Sequence, residues 1–254
     1  MMTSRLFFPI SLVIVASSLS AVTATYNFVT SEGFAEDTAI NGRANWMAQV
    51  GWVTKDVAGA GYATNATDFN RAVLFTNQAF NVGDSYTLVS ELSLEDASQV
   101  NTKTNMFQFG LTDTASPGGN VPKVGMTVRP AFLNYFIDAN VSVGGNETNT
   151  NTAKDTLVSH TYKTIITKSA TLNTFDVVID FDNGTVTKSF TVVDATLYAA
   201  GTLYPIIDSQ GANSKGGIRL NSFSTTYTAV PEPTYFSLLV GALLLGGMVV
   251  RRRK

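Results

Sequence analysis

The chain has 254 residues, no cysteine, one histidine and a formal net charge of −2 at pH 7. The missing cysteines exclude disulfides, thiolate metal sites and cysteine nucleophiles, and a single histidine excludes a metal site made of several histidines. Five of the 17 basic residues lie near the two ends of the chain, so the segment between the ends is more acidic, at about −6, which argues against a nucleic-acid partner.

The N-terminal segment has the order of a secretory signal peptide. A single positive charge precedes an apolar stretch at 6–21, and Val22 and Ala24 place small residues at positions −3 and −1 of a cleavage site. We therefore expect residues 1–24 to be a signal peptide that is cut after Ala24. An uncleaved anchor is the alternative, but Pro9 and several serines make the stretch a poor spanning helix.

Residues 25–228 predict one all-β domain. Apolar side chains recur at every second position, or without interruption, in several segments, as they do in strands. These segments are 84–94, 106–112, 123–129, 132–137, 161–168, 174–193 and 217–227. The clearest is the hairpin at 174–193, where Asp182-Asn183-Gly184 predicts the turn because Asn-Gly accepts positive φ. With a short helical turn at 195–200 and a polar loop at 144–152, the pattern predicts an antiparallel β-sandwich.

The C-terminal segment, residues 229–254, predicts a membrane anchor. Val230-Pro231-Glu232-Pro233 is an extended spacer because its prolines disfavour helix. The uncharged stretch 234–250 that follows would form a helix of about 25 Å, at the short end of what spans a bilayer. Basic residues favour the cytoplasmic side, so the bulk of the chain is expected outside. The basic residues that end the chain are Arg251, Arg252, Arg253 and Lys254.

This order of spacer, hydrophobic helix and basic end resembles the bacterial PEP-CTERM sorting signal. The resemblance implies recognition by an exosortase-type membrane protease that cuts near Pro231–Pro233. It further implies transient residence in the membrane, delivery to the cell surface or extracellular matrix, and an association with extracellular polysaccharide. Whether the mature protein keeps its anchor is left open, and an ordinary C-terminal anchor is the alternative.

The order of segments in the central domain carries a second resemblance. Phe34–Trp52 is followed by Arg71–Leu74, Phe80–Leu94, Phe107–Leu111 and the Asn-Gly hairpin. This order is similar to that of concanavalin-A-like (laminin-G-type) jelly-roll domains, which implies a jelly roll for residues 25–228. A β-sandwich of another topology is the alternative, since the resemblance includes no invariant motif.

The catalytic pattern of jelly-roll glucanases is not found in this sequence. Those enzymes carry Glu-x-Asp-x-x-Glu on one strand. The nearest segment here, Glu91–Asp96, has Ser93 at the position of the Asp and the shorter acid Asp96 at the position of the last Glu. Glu91 and Ser93 alternate with apolar residues and are expected to face solvent. The sequence lacks a G-x-S-x-G elbow, so His160 is interpreted as a surface histidine. We therefore predict no catalytic residue and no enzyme activity.

Calcium binding is left open by the sequence. Asp176, Asp180 and Asp182 share one face of the hairpin and supply the oxygen ligands that calcium prefers, but carboxylates also suit a solvated face. No metal site is assigned and no cofactor is indicated. Other candidates near turns are Asp113, Asn120 and Asp138.

Trp46 and Trp52 are the candidate ligand-binding residues. Exposed aromatic rings stack on sugars, and buried ones anchor cores. Amide side chains lie nearby in the sequence at Asn41, Asn45 and Gln49, so glycan contact and core packing both remain open.

The sequence as a whole predicts a non-catalytic exported protein that binds carbohydrate or another extracellular polymer. A purely structural surface scaffold is the main alternative. A polysaccharide-active hydrolase with an unrecognised site is a third.

Overall fold

The computed structural model describes residues 20–49, 51–65, 70–76, 78–94, 107–118, 122–131, 134–139, 150–153, 158–182, 184, 186–209 and 218–230. These residues form fifteen β-strands, one short α-helix and one 3-10 turn at Thr30–Glu32. In chain order the elements are β1 (Ser20–Tyr26), β2 (Trp46–Ala48), β3 (Trp52–Lys55), β4 (Tyr62–Asn65), β5 (Asn70–Leu74), β6 (Ser85–Leu94), β7 (Phe107–Thr112), β8 (Val124–Ala131), β9 (Asn134–Ala139), β10 (Thr150–Ala153), β11 (His160–Lys168), β12 (Thr174–Phe181), β13 (Val186–Val193), α1 (Ala195–Ala199), β14 (Tyr204–Ser209) and β15 (Ile218–Ala229).

Antiparallel ladders join the described strands into two sheets. The eight-stranded sheet has the order β13-β12-β11-β6-β15-β4-β3, and β1 also pairs with β15. The seven-stranded sheet has the order β10-β9-β8-β7-β14-β5-β2. Neighbouring strands are often distant in sequence: Ser85 of β6 lies opposite Thr228 of β15. Each sheet therefore depends on long-range pairing.

Strand β11 shows how the sequence period produces the layers. Its side chains alternate between buried and partly exposed along the whole strand, because successive residues of a strand point to opposite faces. Tyr162, Thr164 and Ile166 are buried in this way. The segments predicted from the same period are confirmed as β6, β7, β8, β9, β11, the β12–β13 hairpin and β15.

Local turn chemistry closes the hairpin and starts the helix. Phe181 lies opposite Val186, and Asp182 and Gly184 between them have φ of 44° and 95°, in the left-handed region that the predicted turn requires. Helix α1 begins where the Asp194 side chain accepts a hydrogen bond from the backbone N–H of Leu197 at 2.9 Å, an N-cap. Both predicted elements are confirmed.

The core is aromatic. Burying side chains of this size stabilises the fold by about 1.5–3 kcal/mol each. The largest fully buried side chains are Trp46, Trp52, Tyr86, Tyr162, Phe28, Phe34, Phe80, Phe107, Phe109, Phe175, Phe181 and Phe223.

Within the described residues, seven strands have no counterpart in the sequence prediction, namely β1, β2, β3, β4, β5, β10 and β14. Most of them are too short to show a period. Strand β14 is buried on both faces over 205–209, which removes the alternation that marks a strand. Strand β10 lies partly within the polar loop predicted at 144–152, and that part of the prediction is wrong because backbone pairing with β9 does not need apolar side chains.

The two ends of the chain were predicted to carry targeting segments. The compact unit Ala21–Val230 contains almost all of the described residues. The signal-peptide residues 1–19, the spacer 231–233, the predicted membrane helix 234–250 and the basic residues 251–254 lie outside them. Among the described helices, none has the length and apolar content needed to cross a bilayer.

Strand β1 contains the predicted cleavage site. It spans Ser20–Tyr26, so a cut after Ala24 would remove its first five residues. Ala24 packs against the core, and Thr23 shares a 3.0 Å hydrogen bond between hydroxyls with Thr226 of β15. The N-terminal segment therefore contributes to the eight-stranded sheet in the structure.

We expect a protein that starts at Thr25 to be less stable than one that starts at Ser20, by about 2 kcal/mol, because it loses ladder hydrogen bonds and the packing of Ala24. Urea denaturation of residues 20–230 and 25–230 measures the difference. The control Thr23→Val removes one hydroxyl contact but keeps the strand, and should change stability by less than about 0.5 kcal/mol. Equal unfolding midpoints for the two starting points would contradict this role of β1.

Candidate functional site

The two tryptophans proposed as ligand contacts are core residues. Trp46 and Trp52 are both 0% exposed. The Trp46 ring lies 5.4 Å from Tyr26 and 5.5 Å from Phe223, and Trp52 lies 6.3 Å from Phe107. Neither indole presents a free face to a sugar in this conformation. The core-packing interpretation replaces the glycan-contact one, and a binding surface must be sought elsewhere.

The three hairpin aspartates do not converge on one site, and two of them have separate partners. Asp176 is exposed. Asp180 accepts a 2.6 Å hydrogen bond from the Gly184 N–H, whereas Asp182 contacts His160 Nδ1 at 2.8 Å. Among the described residues, no group of three or more histidine, aspartate or glutamate side chains could hold a metal ion.

Predictions made for individual polar side chains agree with the structure in some cases and differ from it in others. His160 was expected at the surface but is 8% exposed, because it packs against the Phe181 ring at 5.5 Å. Glu91 is exposed as expected, whereas Ser93 is buried.

Asp113 pairs with Lys123 at 2.5 Å. Burial alone would raise the pKa of Asp113, but the hydrogen bond and charge of Lys123 outweigh it and lower that pKa.

Only some of the other predicted positions belong to the described residues. Val230 directly follows the last residue of β15, and its N–H is hydrogen-bonded to Asp84. Asn120 and the motif residues Pro231, Glu232 and Pro233 lie outside the described residues, and only the backbone of Asp138 is described.

An aromatic cleft lies beside β1 and β5. It has a volume of about 200 Å³. Aromatic rings and amide side chains line it together. The lining residues that carry this chemistry are Asn45, Phe75, Gln78, Tyr26, Tyr86 and Tyr227.

Phe75 is the exposed aromatic residue at this cleft. It is 49% exposed and stacks on Tyr204, with centroids 6.1 Å apart and an interplanar angle of 28°. Its backbone N–H donates a 2.8 Å hydrogen bond to the carbonyl of Asn45, which ties the end of β5 to the turn before β2. The ring is thus held by stacking and by its backbone while part of its surface stays open. No periodic pattern in the sequence marks this residue, because it lies just beyond a short strand.

Three tyrosines form the inner wall of the cleft. Tyr86 and Tyr227 lie 5.2 Å apart between ring centroids. Burial raises the pKa of both and of Tyr26, and the Asp84 carboxylate raises the pKa of Tyr227 further. These hydroxyls therefore stay protonated at neutral pH.

These tyrosines predict a loss of stability in alkali. Above about pH 10 the unfolded chain loses tyrosine protons that the folded protein retains, so the free energy of unfolding falls as pH rises. Burial lowers the pKa of Lys168, and this has the opposite sign, since the unfolded chain binds that proton more readily. Denaturation midpoints at about pH 8 and about pH 11 should show a net fall that Tyr227→Phe reduces. A fall of equal size in Tyr227→Phe would contradict the assignment to Tyr227.

A buried polar row crosses the face of the seven-stranded sheet that points away from the core. Arg71 lies opposite Asp208, which lies opposite Gln108, which lies opposite Thr127. Arg71 Nε donates to Asp208 Oδ2 at 3.3 Å, and Gln108 Nε2 donates to Thr127 Oγ1 at 3.2 Å. Asp208 is 0% exposed. The row was not predicted, because its members come from four separate strands.

The polar row contains one carboxylate among its four members, and Arg71 balances its charge. Glycoside hydrolysis by the common mechanisms uses two carboxyl groups about 5–10 Å apart. The four residues by themselves therefore do not form that catalytic pair. Hydrogen bonds join them in two pairs, Arg71 with Asp208 and Gln108 with Thr127.

Comparison with known proteins identifies the fold. No protein-family model matches the sequence, and no curated protein matches it. Among solved structures, the chain is similar to peanut lectin in complex with a 9mer peptide, with a TM-score of 0.50 and 13% identity over 84% of this chain and 100% of that one. Arcelin-5, a lectin-like defense protein from Phaseolus vulgaris, has a TM-score of 0.50 and 13% identity over 82% and 98% of the two chains.

A third similar structure is a carbohydrate esterase from the Shiga toxin-encoding bacteriophage phi24B. Its TM-score is 0.55, with 14% identity over 82% of this chain and 99% of that one. At such low identity the likeness concerns the fold. The two antiparallel sheets of this chain form a lectin-like jelly roll, as the second sequence resemblance implied.

Proposed function

We propose that this protein is an exported, non-catalytic domain that binds carbohydrate or another extracellular polymer through the aromatic cleft. The observation that carries the proposal is the half-exposed Phe75 ring, stacked on Tyr204 beside the amides of Asn45 and Gln78. Aromatic faces pack against the apolar faces of sugar rings, and amides hydrogen-bond to sugar hydroxyls.

The charge of the domain restricts the class of polymer that it can bind. The central segment is acidic, so an anionic polymer would be repelled unless a cation intervened. Two of the three similar structures described above are lectin or lectin-like by name, and the third is named a carbohydrate esterase. A neutral polysaccharide is therefore the favoured ligand.

Binding of purified residues 20–230 to a panel of neutral and acidic polysaccharides, with and without calcium, tests the proposal. We expect saturable binding to a neutral polymer, weakened about tenfold by Phe75→Ala, as for a central aromatic contact. The control is Leu172→Ala, since Leu172 is an exposed apolar residue that does not line the cleft. Equal loss of binding in both variants would contradict the cleft as the site.

The alternative is a surface scaffold that binds no ligand. The same predicted export and sorting segments would deliver such a protein to the cell surface. Absence of binding to every polymer of the panel would favour it.

The proposal includes delivery through the C-terminal segment, on the strength of its resemblance to the PEP-CTERM signal. An exosortase-type membrane protease is the expected partner, and the cell surface or matrix is the expected destination. Fusing residues 229–254 to an inert exported reporter tests this step: the reporter should pass through the membrane and reach the surface. A reporter that remains uncut and periplasmic would overturn it.

A further inference from the structure

A buried carboxylate lies at the point where the described domain ends. Asp84 is 1% exposed. Its Oδ2 accepts a hydrogen bond of 2.7 Å from the N–H of Asn81, and Tyr227 Oη lies 2.7 Å from the same oxygen. Its Oδ1 accepts a 2.8 Å hydrogen bond from the N–H of Val230. A buried charge needs such partners, so the described part of the domain ends in an ordered contact.

The contact reaches across the sequence to the end of β15. Val230 lies 146 residues beyond Asp84 and immediately before Pro231 of the predicted spacer. Tyr227, three residues earlier, also lies 2.7 Å from the carbonyl oxygen of Ala79. The end of β15 and Val230, the first residue of the predicted spacer, are thereby held to the loop that precedes β6. We call Asp84, Tyr227 and Val230 the exit clamp.

The loop under the clamp is itself fixed. Gly83 has a φ of +90°, and a Cβ at this position would lie 2.9 Å from Val230 Cγ2, so only glycine allows Val230 to approach this closely. The Gly83 N–H donates to the carbonyl of Lys168 at 2.7 Å, and Lys168 Nζ donates to the carbonyl of Phe80 at 3.0 Å. The clamp therefore rests on β11 as well as on β6.

We propose that the exit clamp sets the inner limit of C-terminal processing, so that cleavage occurs only at peptide bonds beyond Val230 and the mature domain keeps Val230. This inference rests on the proposed sorting function and adds the boundary of its cleavage site. Proteases bind extended, unpaired chain, and β15 is paired with β6 as far as Thr228 while the clamp holds Val230. Hydrolysis adds one water across the bond that breaks, leaving a carboxylate on the domain and an amine on the released tail.

Limited proteolysis of the full chain in detergent tests the limit without the sorting enzyme. A broad-specificity protease should remove the tail and stop beyond Val230, as read from fragment masses. In Asp84→Asn and Tyr227→Phe, fragments that end within 222–229 should appear about tenfold faster, because loss of a buried hydrogen bond to a charged group raises the population of the frayed strand end. Two variants are used because Asp84→Asn also leaves a new amide in the core.

The control is Tyr198→Phe. It removes a tyrosine hydroxyl that donates a 2.8 Å hydrogen bond to the carbonyl of Ser169 and does not touch Val230. Its fragments should match those of the parent. Rapid cutting within β15 of the parent, or unchanged limits in both clamp variants, would overturn the proposal.

The mass of the mature protein from its host gives the second readout. A C-terminus at or beyond Val230 is expected, and one before Val230 would overturn the inference even where sorting succeeds. If the tail stays uncut in the host, the sorting proposal fails, while the limit measured in vitro still decides the role of the clamp.

Discussion

Replacing Trp46 by Ala is expected to lower the free energy of unfolding by about 4 kcal/mol. The indole is fully buried and contacts the rings of Tyr26, Phe28 and Phe223, so its removal leaves a large cavity that rigid sheets fill poorly. Urea denaturation at 25 °C, followed by tyrosine fluorescence and far-UV circular dichroism, measures the loss.

A milder variant separates ring packing from the indole N–H. Trp46 Nε1 has no hydrogen-bond partner among the described residues, so Trp46→Phe removes an unsatisfied donor along with part of the ring. The two effects oppose each other, and a loss of less than about 2 kcal/mol is expected.

The exposed Phe75 provides the contrast to Trp46. Phe75→Ala should change stability by less than about 1 kcal/mol while weakening polymer binding. If Trp46→Ala instead kept full stability and lost binding, Trp46 would be a ligand contact and its burial would be wrong.

Replacing Gly110 by Ala is expected to be the most disruptive change of a single methyl group, with a loss of about 3 kcal/mol or failure to fold. Gly110 of β7 lies opposite Gly125 of β8. A Cβ on Gly110 would lie 2.0 Å from the carbonyl oxygen of Val124 and 2.8 Å from Gly125 Cα. Because these are backbone atoms of a paired strand, they cannot move aside without breaking the ladder.

Gly201 is the matched control for this change. A Cβ there would meet nothing within 4 Å, and Gly201→Ala should stay within about 0.5 kcal/mol of the parent. Thermal unfolding of both variants, with the soluble yield of each, is the measurement. Equal melting temperatures for Gly110→Ala and the parent would mean that β7 and β8 lie further apart than described.

The period of two determined the strands that the sequence predicted correctly. Strand β11 alternates along its whole length and β12 from Phe175 onwards, and alternation depends only on neighbours in the chain. The turn at Asp182 and Gly184 is equally local, since its φ angles restrict the residues that fit there. The alternation of apolar and polar residues is weaker in strands that are buried on both faces. Strands β7 and β14 are buried in this way over most of their length. The sequence segment of β7 still alternated, whereas that of β14 was missed.

The sequence alone could not predict which distant residues meet in the folded protein. Trp46 and Phe75 are both aromatic and lie near β-strands, and nothing in the local pattern says that one is enclosed while the other stays half open. Arg71 and Asp208 are 137 residues apart, and the exit clamp joins Asp84 to Val230 over a longer distance. Their meeting depends on which strands become neighbours.

The sequence by itself determined the all-β character, most long strands and the hairpin turn, and it supplies the export and sorting segments as predictions. The tertiary structure decided the burial of both tryptophans, the aromatic cleft, the polar row and the clamp. The physical reason is that strand formation follows from side-chain alternation within a few residues, whereas a site in a sandwich forms between strands whose pairing closes long loops.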